Sequence, residues 1–301
     1  MQHDGAFPNH RKRLGFLRHP GVRREIASLH AERDCQRIVH LLACHEFGFD
    51  ITRCLELALF HTYGSRPISH LLHATGEFRQ RGQKRYDDTR LLISHFLESG
   101  YDSEFGQRAI ARMNQIHGRF RIPDDDFLFV LSTFVSYPYD WLARWGYRPM
   151  TPHERQAWWC FFREVGRRMG IAGVPDDWAT LQAFVERYEA QHLVFAPSNR
   201  AVADATVAVF AGWFPRALRF AVEPSVRALI APKLQAAFGY APAPRAWAAC
   251  LQCVLWLRKK LKRVIHLEMQ PRLIATTRNR SYPGNVYRIE EIGPSRSREA
   301  A

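Results

Sequence analysis

From residue 22 to residue 266 apolar side chains recur at spacings of three and four, and almost nowhere do they alternate. A helix turns once in about 3.6 residues, so this spacing gathers apolar groups on one face, whereas a half-buried strand needs period two. A chain patterned in this way buries its stripes only by packing helix on helix. The fold class is therefore all-α, and Asn285-Val-Tyr-Arg-Ile289 is the one short stretch that reads as a strand. With 301 residues, 47% of them hydrophobic and 20 Phe and 8 Trp among them, the chain has ample material for a core, which excludes wholesale disorder. No internal repeat and no linker interrupts the pattern before residue 270. The expected organisation is a basic tail over 1–21, a single helical domain over 22–268 and a flexible basic tail over 269–301.

Punctuation marks the helices. Periodic segments cover 22–46 and 51–72, with Pro67 at a new helix start or a kink. Residues 75–85, with Gly76, Gly82 and many charges, read as a loop. Asp87 or Asp88 can then cap a helix that runs through Leu97 and stops at Gly100. The next helix spans Ser103 to His117. Pro123 and Asp124-Asp125-Asp126 open another, because acids in a first turn suit the positive end of the helix dipole. Further helices fit 152–169, 176–191, 199–210 and 245–266, the first entered through a Thr151 cap with Pro152 at its first position.

The formal charge of +14 would ordinarily suggest nucleic acid. Its distribution argues otherwise: residues 1–24 carry +5 and residues 258–301 carry +7, leaving +2 for the whole middle. The basicity belongs to the ends, which suits solvated tails or a membrane surface, and nucleic acid is an unlikely partner. The run Arg258-Lys-Lys-Leu-Lys-Arg263 follows an apolar segment and reads as a solvated helix end or as a contact with anionic lipid. Six cysteines without regular spacing, and no secretory pattern at the first residues, lead us to expect reduced thiols and a cytoplasmic protein. Cys250 and Cys253 form a CxxC without a second Cys/His pair to complete a zinc site. The longest uncharged runs, such as 127–139 and 246–257, are shorter than the ~20 residues a spanning helix needs.

Two places carry chemistry. His117 shares a helix face with Ile110, Met113 and Asn114, mostly apolar neighbours that would keep an imidazole neutral, the form that ligates iron. A lone histidine on such a face is more often a core residue, so its surroundings decide. Arg85, Asp88 and Thr89 lie three and four apart and can line one side of a helix start. They read as a capping aspartate beside a surface arginine, or as a polar cluster facing an iron-bound ligand. His61, His70 and His73 lie on one helix-like stretch without an accompanying carboxylate pattern.

Over residues 55–215 the chain resembles the oxygenase family that contains bacterial latex clearing protein (rubber oxygenase) and the fungal MpaB oxygenase. The resemblance rests on Thr75-Gly-Glu-Phe-Arg79, Lys84-Arg-Tyr-Asp-Asp-Thr89, Arg112-Met-Asn-Gln-Ile-His-Gly118, the aromatic helix from Phe127, and Pro152-His-Glu-Arg155. It implies a multi-helix bundle with a globin-like core around haem b. His117 would be the proximal iron ligand, Met113 would pack beside the cofactor, and Arg85 and Thr89 would line the distal side. Latex clearing protein has a distal lysine where Asp88 stands here, so a lysine-capped iron is not expected. Glu77 and Asp88 compete for the role of catalytic base. The implied reaction uses molecular oxygen to cleave a carbon-carbon double bond of a lipophilic, isoprenoid-like substrate. The alternatives are a haem sensor or carrier without turnover, and a basic helical protein that binds nucleic acid or a membrane surface through its ends.

Overall fold

A computed structural model describes residue 7, residues 20–266 and residues 271–294. The described residues are helical, without a strand. In chain order the helices are α1 (Gly21–Ser28), α2 (Cys35–His40, continuing into a wider π segment, Leu41–Glu46), α3 (Gly48–Thr62), α4 (Arg66–Thr75) and α5 (Glu77–Ser99). Then follow α6 (Glu104–His117), α7 (Asp124–Arg144), α8 (Pro152–Arg168), α9 (Trp178–His192), α10 (Pro197–Ala211), α11 (Val222–Leu229), α12 (Pro232–Phe238) and α13 (Arg245–Val264).

The all-α expectation holds, and most boundaries follow the caps in the sequence. Ser103 caps α6 by accepting from the Gly106 amide at 3.0 Å. Thr151 and Glu154 form a reciprocal capping box at the start of α8. Three differences have physical causes. Residues 77–85 are helix rather than loop: Gly82 has no Cβ to collide with Val209 of α10, and non-helical angles at Arg81 put a kink in α5 instead of a break. Asp87 and Asp88 therefore lie inside α5, not at its cap. Asn285–Ile289 is no strand; short 3-10 turns, Pro283–Asn285 and Ile289–Glu291, flank an extended link.

The core is aromatic. Trp158, Phe161 and Phe162 of α8 are fully buried, as are Phe47, Phe60, Phe96 and Phe129, and the Phe96 ring lies against that of Phe161. Helix α3 packs along α7, α2 along α8, and α10 across α4 and α5. Residues 271–294, expected within a flexible tail, instead lie on α5 and α6, where Ile289 and Ile292 pack with Leu91, Leu92 and Ala109. The basic residues of the N-terminal tail, Arg11, Lys12, Arg13 and Arg18, fall outside the described residues.

Helix α13 also departs from its reading as a solvated helix end. Arg258 and Lys262 turn inward to the fully buried Asp50, at 2.8 and 3.1 Å, and Asp50 also accepts from the Trp141 indole at 3.0 Å. A carboxylate with two cations and an indole donor is compensated for its burial, and its pKa stays below the usual range despite the desolvation that opposes this.

The hairpin of α5 and α6 positions the site. Gly100, at φ +81°, ends α5, and Gly106 opens α6 so close to the Gly100 carbonyl that a Cβ there would lie 2.0 Å from its oxygen. Arg85 and His117 each sit roughly 14 residues, about 20 Å of helix, from this turn. The antiparallel arrangement brings them level.

Candidate active site

Helices α3, α5 and α10 and the Arg272–Ile274 segment enclose about 890 Å³ of empty space, part of it open to solvent. Its wall is mainly apolar, with Ile51, Leu55, Leu59, Phe78, Ile93, Leu97 and Phe210 contributing. Polar groups are few and placed along one helix. Arg85, Thr89, Tyr86 and Arg90 of α5 line it, with Glu98 a little over two turns further on and Glu56 across from α3. Arg85 donates to the Thr89 hydroxyl, which itself donates to the Arg85 carbonyl at 3.0 Å. The Arg85 guanidinium also stands 5.8 Å from the Phe78 ring centre.

His117 is the last residue of α6 and does not itself line the cavity. Its ring lies 5.2 Å from that of Phe127, and its Nδ1 is buried without a hydrogen-bond partner. Burial, reinforced by the positive charge of Arg85, lowers its pKa to about 4. The imidazole is thus neutral at pH 7, with an enclosed nitrogen lone pair or N–H that nothing in the protein uses. Arg85 belongs to both places: it lines the cavity and its charge reaches the imidazole. Met113 packs between the main core and the small cluster under the C-terminal segment, outside the cavity lining.

The other two sequence candidates sit elsewhere. Asp88 faces the C-terminal segment, pairing with Lys84 at 2.8 Å and accepting from the Tyr282 hydroxyl, while Lys84 also donates to the Gly293 carbonyl at 2.9 Å. Glu77 pairs with Arg81 one turn on, with Nε 3.1 Å from the carboxylate. Neither lines the cavity. The helical period explains why Asp88 leaves Arg85 and Thr89: it lies one residue, about 100°, around α5 from Thr89.

Four charged residues of the cavity, Glu56, Arg90, Glu98 and Arg272, escaped the sequence reading. Glu56 is buried, accepts from the Tyr86 hydroxyl and pairs with Arg53 at 2.7 Å; burial raises its pKa. Glu98 is buried against the backbone amides of Ile274 and Ala275, the latter at 3.1 Å, and desolvation lifts its pKa to about 8. A signal existed for both, a carboxylate within an otherwise apolar stripe. Arg272 carried none, because it reaches the cavity from a segment remote in sequence.

An apolar chamber with polar groups of α5 along its wall, beside a neutral imidazole with an unpartnered nitrogen, defines a class: a helical protein with an apolar cavity next to an available histidine. The family model of the catalytic domain of ER-bound oxygenase mpaB/B'/rubber oxygenase matches residues 68–259, and the chain belongs to this oxygenase family. ER-bound oxygenase mpaB' of Penicillium brevicompactum is 30% identical over 239 residues, 73% of this chain and 56% of that protein. ER-bound oxygenase mpaB of Penicillium roqueforti (strain FM164) is 32% identical over 182 residues, 54% of this chain and 61% of that protein. The chain thus spans between half and two thirds of the length of these relatives. Among the described residues no helix is long and apolar enough to cross a membrane.

Proposed function

We propose that the chain is a haem b-dependent oxygenase that uses molecular oxygen to cleave a carbon-carbon double bond in a lipophilic, isoprenoid-like substrate. One observation carries the reading: the half-buried, neutral His117 imidazole, whose enclosed Nδ1 has no partner, level with Arg85 and Thr89 on the wall of an apolar cavity. The residues fit the cofactor. Among the described residues no cluster of three or more His, Cys, Asp or Glu side chains could hold a metal ion, and the group beside this cavity that offers a free ligand atom is the His117 Nδ1. His117 would hold the iron, and Arg85, which lines the apolar cavity and whose charge reaches the imidazole, would lie beside the cofactor.

Bound haem would supply oxygen activation, and in the overall reaction the two oxygen atoms of O2 end in the two carbonyl groups left by the severed double bond. The protein's own groups do the rest. Leu55, Leu59, Ile93 and Phe210 hold the alkene and exclude water. Arg85, one nitrogen of which is held by the Thr89 hydroxyl, would offer its remaining N–H donors to negative charge developing on oxygen. Glu98, which carries its proton at neutral pH, is the cavity acid best placed to exchange one; Glu77 and Asp88 are held in ion pairs outside it. The relatives' names as ER-bound proteins support a membrane-associated working place.

Absorption spectroscopy after expression with ample haem tests the reading. A Soret band that moves with carbon monoxide, followed by oxygen uptake with an isoprenoid alkene, is expected. A Soret band without oxygen uptake on any unsaturated lipid would make the chain a haem carrier or sensor.

A further inference from the structure

We infer that the outer face of α13, together with residues 214–220, is a docking surface for an anionic phospholipid bilayer, and that it seats the cavity mouth at the membrane. Helix α13 is inverted relative to an ordinary surface helix. Its inward face carries Arg258 and Lys262 to Asp50, while its outward face presents Ala246, Cys250, Val254, Leu257, Leu261 and Val264 at intervals of three and four. Val264 is 61% exposed and Leu257 53%. A face of this extent left in water is costly, and a monomer that keeps one uses it.

The second apolar element adjoins the first. Residues 214–220 read Phe-Pro-Arg-Ala-Leu-Arg-Phe, all exposed, and the Phe220 ring, 71% exposed, packs at 6.2 Å from Trp247 of α13. Charge selects the occupant. Neither α13 nor residues 212–222 contain an Asp or Glu, whereas exposed Arg216, Arg219, Lys260 and Arg263 ring the apolar groups. Apolar side chains flanked by cations, with Trp256 at the margin and Lys260 5.2 Å from its ring centre, match the layering of a headgroup region over acyl chains. A second copy would bring this uncompensated positive charge against itself.

The elements that carry this surface border the cavity through their inner faces. Arg258 of α13 lies over the Phe49 ring at 4.5 Å, and the cavity-lining Arg272 lies over the same ring at 5.9 Å. Trp213, next to Phe214, packs on Tyr86 and Phe210 of the cavity wall at 4.8 and 4.9 Å. Arg53 reaches both Phe49 and Trp213. A chain docked through α13 and residues 214–220 therefore opens its cavity beside the bilayer, and a lipophilic substrate enters without crossing water. This rests on the proposed lipophilic substrate.

The test is flotation of the full chain with vesicles of phosphatidylcholine alone and of phosphatidylcholine mixed with phosphatidylserine, for wild type, Leu257→Glu/Leu261→Glu and Arg216→Glu/Arg219→Glu. Wild type should float with both and more strongly with phosphatidylserine. The double leucine variant should lose about tenfold or more of its binding with an unchanged melting curve, and the arginine variant should lose only the phosphatidylserine preference. Failure of wild type to float, or a leucine variant that floats as well as wild type, overturns the proposal. So does a concentration-dependent dimer, seen by sedimentation, that the leucine variant abolishes while wild type ignores vesicles. The Soret band of the same samples reports the oxygenase reading independently.

Discussion

The two sides of α5 place neighbouring residues in opposite circumstances. On one side Lys84, Asp87 and Asp88 meet the C-terminal segment, and their polar atoms are taken up: Asp87 accepts from the Ser281 amide at 2.9 Å and Asp88 is held by Lys84 and Tyr282. On the other side Arg85 and Thr89 border open space, with the unpartnered His117 Nδ1 nearby. Polar groups satisfied inside the protein serve stability; polar groups that face a cavity remain available to a ligand. On the proposed reading this division separates, within the six-residue motif Lys84–Thr89, the residues that build the site from those that work in it.

Substitutions on the two sides should therefore fail differently. The largest effect is expected for His117→Ala, which should abolish haem retention, read as loss of the Soret band, while the helical circular dichroism persists. Arg85→Leu should keep the haem and lower substrate turnover on the order of a hundredfold, as loss of an oxyanion donor does; an unchanged rate would remove Arg85 from the working side. Asp88→Ala should leave the spectrum intact and cost about 2–3 kcal/mol in denaturant unfolding, because Lys84 and Tyr282 lose a shared buried partner, though the half-exposed Lys84 softens the penalty. A variant that instead lost activity at full stability would return Asp88 to the site.

The smallest effect is a change of pH dependence. Glu98 holds its proton in the folded state up to about pH 8, whereas an unfolded glutamate releases it near 4.5. The folded form thus binds the extra proton between these values, and its contribution to stability is full below pH 4.5 and is lost as pH rises toward 8. Arg90 is the cation that opposes this shift. His117 acts in the reverse sense: its pKa falls from 6.5 to about 4, so its contribution is present above pH 6.5 and is lost as pH drops toward 4. Glu98→Gln should flatten the decline above pH 6.5 in a series of unfolding titrations, and a slope identical to that of wild type would contradict the buried, protonated assignment.

Local signals carried much of this architecture. Ser103, Thr151 and Glu154 announce helix starts because a cap acts on its own neighbours, and the α5–α6 hairpin that brings Arg85 level with His117 follows from two helix lengths and Gly100. What escaped depends on tertiary contact. Nothing in residues 77–85 says that Gly82 lets α10 approach and keeps the segment helical. The inward turn of Arg258 and Lys262 requires Asp50, some 200 residues away in sequence, and the Glu98 environment requires amides from the far C-terminal segment. Asp88 shared the motif but not the direction of Arg85 and Thr89, a distinction set by what covers each side of the helix.

The central claim is the proposal that the His117 imidazole would hold a haem beside the cavity. It is tested most directly by the absorption spectrum of the haem-supplied protein and of His117→Ala, each reduced and exposed to carbon monoxide. The expected result is a Soret band that shifts with carbon monoxide in the wild type and is missing in the variant. A wild-type protein without a Soret band after reconstitution, or a variant with the wild-type spectrum, would contradict it.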